Sequence, residues 1–354
     1  MKVVYILIAV LAFGVLIADH ELGHFLLARL CGVRVNEFSI GMGPALFKKQ
    51  GKETLYALRL IPIGGYCAME GEDEDTGDPR AFSVQRRLKK LAILVAGAAF
   101  NFLLGFLIIL IVVSAAYRGY AFAKPTITGF AEGFPRSGEK GLMEGDTIYS
   151  INGFRLYYSQ DLTTAMARDS DGVVDVVVIR DGKKVLLDDY ALVPRDYGGQ
   201  VRYGIDLTAV RATPWEMLKY GCYSAGNFVR LIRISLSDLF TGAVGLKDLS
   251  GPVGIVSTIS EVGSTSENAR DGLLNVLYLV AFIAVNLSVM NLLPIPALDG
   301  GRIFFLVVTW LIEKVFRRKC DPKVEQAVHS VGMTLLLALM AVIMISDVVK
   351  IIHG

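Results

Sequence analysis

Four stretches of this chain are apolar over about the 20 residues that a ~30 Å hydrocarbon core demands. They are residues 3–28, 91–117, 273–297 and 331–346, the last continuing toward Val349. With 53% of 354 residues hydrophobic, the chain departs from ordinary soluble composition, and the four stretches are read as transmembrane helices. A further apolar run, 303–312, is too short to span and is read as the third helix continued past a break. Met1-Lys2 before the first run imitates a signal peptide, but no small-residue cleavage site follows, so a retained span is expected.

The segmentation follows. A first span (1–30) precedes a cytoplasmic segment (31–90) and a second span (91–117). A soluble domain (118–212) leads into an amphipathic helix and linker (213–272). The third span (273–312), a loop (313–330) and the fourth span (331–354) complete the chain. Lys and Arg crowd the first connection, from Arg34 to Lys90, and the last, from Lys314 to Lys323. The excess puts both connections in the cytoplasm and both termini and the soluble domain outside; Lys2 argues the other way and is outvoted.

The first run carries no charge over residues 3–18, then turns abruptly into Asp19-His20-Glu21-Leu22-Gly23-His24. On one helix His20 and His24 lie a turn apart on the same face, where two imidazoles can share a metal ion. The glutamate between them can act on water at that metal. Ionisable groups at membrane depth are costly and usually functional. A second such place is Asn291-Leu292-Leu293-Pro294-Ile295-Pro296-Ala297-Leu298-Asp299-Gly300-Gly301, where prolines and glycines break the third span. A catalytic zinc wants a third protein ligand and an open position, and Asp299 is the best-placed oxygen. Asp19 points about 100° away from His20, Asp347 lies near the far end of its span, and His329 and His353 fall outside the constellation. Two other classes stay open: a non-enzymatic membrane scaffold with a structural metal, which would want a closed four-ligand site, and a metal transporter, which would want more ionisable residues along its spans.

Residues 33–66 read as short strands at 33–40, 45–49 and 54–60, with Gln50-Gly51-Lys52 as a turn. They form either a small cytoplasmic sheet or a hairpin dipping toward the motif and offering an edge strand to an extended peptide. The acidic run 70–75 reads as a solvated loop. From Pro214, a stripe of Trp215, Leu218, Cys222, Ala225, Val229, Ile232, Leu236 and Leu239 has helical spacing. Gly251-Pro252-Val253-Gly254-Ile255 is expected to interrupt the chain before the third span. Cys31, Cys67, Cys222 and Cys320 show no paired spacing and read as free thiols. No basic stripe interleaves with aromatics, so neither nucleic acid nor nucleotide is expected as a partner.

Within residues 125–207, Gly141-Leu142-Met143-Glu144-Gly145-Asp146 and Ser150-Ile151-Asn152-Gly153 resemble the signature of a bacterial PDZ domain. By that resemblance the strand entered through Tyr203-Gly204-Ile205 borders a peptide groove, which would take a peptide C-terminus or serve only as a steric plug. The HELGH string, the NxxPxPxLDGG string, Ala96-Gly97 with Asn101, the Gly251–255 string and one PDZ-like insertion together resemble the bacterial site-2 protease family, specifically RseP-type regulated intramembrane metalloproteases. The resemblance implies zinc held by His20, His24 and Asp299, with Glu21 catalytic. It implies that Asn291, Pro294 and Pro296 line the substrate path and that 33–66 is a membrane-reentrant β-loop. Expected substrates are single-span membrane proteins already trimmed outside, such as anti-sigma factors, and leftover signal peptides. The implied fold is a polytopic α-helical protein of the bacterial inner membrane with four transmembrane helices, a reentrant β-hairpin and one extracytoplasmic PDZ-like α+β domain. Asp19, where the family commonly has an apolar residue, and Ala98, where it often has proline, are departures.

Overall fold

The computed structural model describes residues 2–72, 76–116, 121–135, 140–245, 250–316 and 322–353. Asp73, Glu74 and Asp75 of the acidic run, Arg317, Arg318, Lys319 and Cys320 lie outside these residues. The elements run α1 (Lys2–Leu30), β1 (Val35–Gln50), β2 (Leu55–Met69), α2 (Arg87–Ala116), β3 (Ala121–Phe130), β4 (Thr147–Ile151), β5 (Phe154–Arg155), α3 (Ser159–Met166) and β6 (Val173–Arg180). They continue β7 (Lys183–Ala191), β8 (Arg195–Asp196), β9 (Val201–Arg202), β10 (Ile205–Arg211), α4 (Pro214–Thr241), α5 (Pro252–Thr265), α6 (Ala269–Asn291), α7 (Asp299–Phe316) and α8 (Pro322–His353). The chain divides into two compact units, Met1–Val113 with Lys219–Gly354 and Ser114–Leu218.

Among the described residues of the first unit, four helices are long and apolar enough to cross a membrane: α1, α2, α6 and, over Ala327–Lys350, α8. Val3, Leu7 and Leu11 of α1 are strongly exposed, as side chains facing lipid would be. Tyr5, Ala9 and Leu16 are buried in one cluster with Ile259 of α5 and Val276, Val280 and Ala284 of α6. Small residues set the closest approaches. A Cβ at Gly272 would stand 2.5 Å from the Tyr5 hydroxyl, and one at Gly23 of α1 would stand 2.5 Å from the Ala96 carbonyl oxygen of α2. Backbones that touch in this way need no hydrophobic driving force to stay together in lipid.

The broken third span resolves into α6, a non-helical turn over 292–298, and α7. Pro294 and Pro296 each lack an N–H and disfavour helix at the residue before, so the chain cannot pass through 292–298 as helix. Around Gly251 the expected interruption is instead a helix start. Gly251 is the extended N-cap of α5, and Pro252 takes the first helical position, where a missing N–H costs nothing. The buried face of α4 is also rotated from the expected stripe. Tyr220, Gly221, Ser224, Ala225, Phe228 and Ile232 are buried, whereas Trp215 and Leu218 are exposed. Phe228 makes ring contacts with Tyr278 and Phe282 of α6, which an apolar count along α4 alone does not reveal.

The expected short strands merge into β1 and β2, which fold back on themselves. Residues 37–40 pair on one side with 65–68 and on the other with 55–58, and 55–58 pair in turn with 47–50. Gly51 closes the turn by donating to the Thr54 carbonyl at 2.9 Å. Residues 65–69 are thereby an outer strand, whose other edge pairs with no strand among the described residues.

In the second unit a six-stranded sheet runs β10-β3-β4-β6-β7, with β5 paired to β4. Ile127, Ile148, Ile151, Val174, Val176 and Val178 form its core with Leu162, Ala165 and Met166 of α3. Asn152 and Gly153 both take positive φ in the two-residue turn from β4 to β5, the chemistry that a tight hairpin demands. Buried Asp146 holds Arg180 through both carboxylate oxygens, at 2.8 and 2.7 Å, and accepts from the Met143 N–H at 2.8 Å.

Candidate metal centre

The last turns of α1 present His20 and His24 to α2, and the position facing them is Gly97. A Cβ there would stand 2.6 Å from Cε1 of His20 and closer still to Nε2 of His24. Only glycine lets α2 lie beneath both rings. His24 donates from Nδ1 to the Ile93 carbonyl of α2 at 2.9 Å, which fixes the ring and leaves the Nε2 lone pair pointing inward. The Asn291 carboxamide lies 3.4 Å from Nδ1 of His20. With its oxygen turned inward, it would accept the Nδ1 proton and do for His20 what Ile93 does for His24.

Asp299, the first residue of α7, completes the group. Its Oδ2 lies 3.3 Å from Nε2 of His20 and 3.3 Å from Nε2 of His24, and the two Nε2 atoms are 3.2 Å apart. Asp299 Oδ2 is buried and makes no hydrogen bond among the described residues. Two imidazole lone pairs and a carboxylate converging in this way need a positive charge between them. A tetrahedral zinc with ligand bonds of about 2.0–2.1 Å spaces its ligand atoms about 3.3–3.4 Å apart. The three separations match that spacing, so the residues fit the ion, and three donors leave a fourth position open. Asp19 is not among the donors that come together; its Oδ2 is buried with no hydrogen bond among the described residues.

The donors sit in a cleft of about 670 Å³ that Glu21 also lines. The outer strand of the hairpin forms its opposite wall through Gly65, Tyr66, Cys67, Ala68 and Met69. A Cβ at Gly65 would stand 3.2 Å from Cγ of Glu21, so strand backbone packs closely against the Glu21 side chain. Asn291 lines the cleft, as do Ala297 and Leu298. Pro294 is exposed, and Pro296 is pressed against Gly332 of α8. Arg302, which sequence reasoning passed over, and Glu72, expected in a solvated loop but half-buried, complete the wall. Arg302, one turn after Asp299, pairs with Glu72 beyond β2, and Glu72 accepts from the Met69 N–H at 3.3 Å. Opposite charge, and the place of Arg302 directly after the LDGG string, were the only signal. Asp347, set aside as a ligand, is buried and accepts from Gly254 N–H at 2.9 Å, capping α5 from α8.

Membrane-length helices gathered around such a donor cluster have the form of a membrane metalloenzyme. Comparison with known proteins makes the class specific. A model of peptidase family M50 matches residues 8–339. A relative from Clostridium acetobutylicum, named as a zinc metalloprotease, is 37% identical over 97% of this chain and 97% of its own. The regulator of sigma-W protease RasP of Bacillus subtilis is 28% identical, and the zinc metalloprotease RasP of Bacillus licheniformis 27%, each over 96% of this chain and 97% of its own. The chain belongs to peptidase family M50, the site-2 protease family, and is a zinc metalloprotease.

Proposed function

We propose that this zinc metalloprotease cleaves peptide bonds within membrane-spanning segments, with His20, His24 and Asp299 holding zinc and Glu21 moving the proton. One observation carries the reading: three donor atoms 3.2–3.3 Å apart stand beside a glutamate at the end of an apolar helix of membrane length. The chemistry supplied by zinc bound there is Lewis acidity toward water and the scissile carbonyl. Glu21 takes a proton from the attacking water as its oxygen adds to the carbonyl carbon. It returns that proton to the amide nitrogen as the C–N bond breaks. Ile93 and Asn291 orient the imidazoles throughout.

A helical substrate hides its carbonyls in i→i−4 bonds and must unwind to react. The outer strand at 65–69 supports a way of holding the unwound segment, since an extended peptide can add to its edge beside the cleft that Glu21 lines. Met42, Leu46, Phe47, Leu58, Leu60 and Ile61 of the hairpin are apolar and exposed, which favours a loop dipping into lipid over a solvated cytoplasmic sheet. Asn291, Pro294 and Pro296 belong to the substrate path in this reading. The second unit is a PDZ-like domain, and β10 at the edge of its sheet is the strand to which a peptide C-terminus would add. With the basic connections cytoplasmic, this domain and both termini lie outside the bacterial inner membrane, where the domain excludes bulky ectodomains. The substrates are single-span membrane proteins already trimmed outside. The naming of the Bacillus subtilis relative as a regulator of sigma-W favours anti-sigma factors among them, beside remnant signal peptides.

The test uses purified protein in detergent with a trimmed single-span substrate. Cleavage is expected from wild type, is lost with chelator, and is lost in Glu21→Gln while zinc remains bound. Zinc binding without cleavage of any trimmed substrate would instead favour a scaffold with a structural metal.

A further inference from the structure

His329 has no place in the chemistry above, yet it reaches the turn that delivers Asp299. The backbone N–H of Ala297 donates to Nδ1 of His329 at 3.1 Å. An imidazole that accepts at Nδ1 is neutral, with its proton on Nε2. Ala297 has φ +79, in the left-handed region. The other non-glycine residues with positive φ among those described are Asn152, Asp181 and Asp189, types that tolerate it. Alanine has no such tolerance, so its surroundings must hold it there.

The local constraints point to the same residue. Pro294 and Pro296 fix their own φ. The freedom left in the turn therefore concentrates at Ala297 and Leu298, immediately before the ligand. On α8, His329, Gly332 and Met333 share one face at i, i+3 and i+4. Gly332 meets Pro296, Met333 lines the cleft, and the His329 ring lies 5.5 Å from that of Phe305 on α7. One face of the last helix thus grips the turn from outside the metal centre.

We infer that His329 is a positioning residue: its Nδ1 locks Ala297 in the left-handed conformation and so sets the Asp299 carboxylate against the two imidazoles. The inference rests on Asp299 being a zinc ligand, as proposed above. Asp299→Asn tests that assignment separately, and unchanged zinc binding in that variant would remove it whatever His329 does.

The experiment compares full-length wild type with His329→Leu, His329→Gln and His329→Asn in detergent. Asparagine carries an oxygen near the Nδ1 position. Glutamine reaches the Nε2 position instead, and leucine offers no acceptor. In the metal-free proteins, amide exchange over residues 293–298 is expected to rise tenfold or more for Leu and Gln and to stay near wild type for Asn. Zinc affinity and kcat should each fall about 10- to 100-fold for Leu and Gln, with KM within twofold, and Asn should restore most of both. Ala297→Gly added to His329→Gln should recover several-fold, because glycine takes positive φ without a Cβ penalty. If His329→Leu does not accumulate, the polar Gln and Asn variants decide the matter alone. Wild-type exchange and zinc affinity in Gln, or equal losses in Gln and Asn, would overturn the assignment.

Discussion

Replacing Gly97 with alanine isolates the contact on which the proposed metal centre should depend. The added Cβ would stand 2.6 Å from Cε1 of His20, and ordinary contact begins at 3.4 Å, so the ring must retreat by 3.4 − 2.6 = 0.8 Å. Metal–ligand distances tolerate about 0.2 Å. The displacement is about four times that tolerance, and His24 is crowded by the same methyl group. The helix itself should not suffer, because alanine is about 0.8–1 kcal/mol better than glycine inside a helix. Zinc affinity should therefore fall 100-fold or more, and kcat/KM by at least the ~100-fold expected of a 1 Å misplacement. Competitor titration reads the first and single-span substrate cleavage the second, with thermal unfolding in detergent as the control for folding. Gly14→Ala serves as comparison, since nothing lies within 4 Å of its added Cβ, and both readouts should stay near wild type. If Gly97→Ala kept stoichiometric zinc and activity within twofold, the close approach of α2 to the histidines would not be what shapes the site.

Three further outcomes are expected. Arg302→Met and Glu72→Gln each break a partly buried ion pair worth about 1–2 kcal/mol at the cleft wall, so kcat/KM should fall about tenfold in either. The charge-reversed double variant should recover part of that loss in the same cleavage assay. Gly23→Val should weaken the α1–α2 contact, because even a Cβ would meet the Ala96 carbonyl oxygen at 2.5 Å, and detergent-resistant folding should drop measurably by thermal unfolding. Asp146→Ala removes the carboxylate that pairs with Arg180 and should cost the second unit about 3 kcal/mol, read by limited proteolysis of the intact protein in urea, with zinc binding unchanged.

The parts of this fold legible in the sequence are those that local pattern determines. Apolar runs of about bilayer length mark the four helices long and apolar enough to cross a membrane, and the i, i+4 spacing of His20 and His24 puts both imidazoles on one face before any tertiary contact is known. Pro294, Pro296 and the glycines after Asp299 mark the broken helix. What pattern does not carry is the identity of neighbours. Gly97 is one small residue among several in an apolar helix, and only the fold shows that it lies beneath both imidazoles. Apolar spacing along α4 picks out the buried Ala225 and Ile232 but also Trp215 and Leu218, which are exposed, and it misses Gly221 and Phe228, which meet other helices. Gly251-Pro252 reads as an interruption, and the acceptor that Asp347 offers α5 from 93 residues away is not visible in local pattern. Arg302 with Glu72 and His329 with Ala297 are likewise pairs between segments distant in the chain.

The most direct test of the central claim is to map by mass spectrometry where a trimmed single-span substrate is cut, by wild type and by Glu21→Gln. New termini inside the substrate's apolar segment, absent in Glu21→Gln and in chelator, are the expected result. Cuts confined to soluble flanks, or cuts that persist in Glu21→Gln, would contradict an intramembrane site built from His20, Glu21, His24 and Asp299.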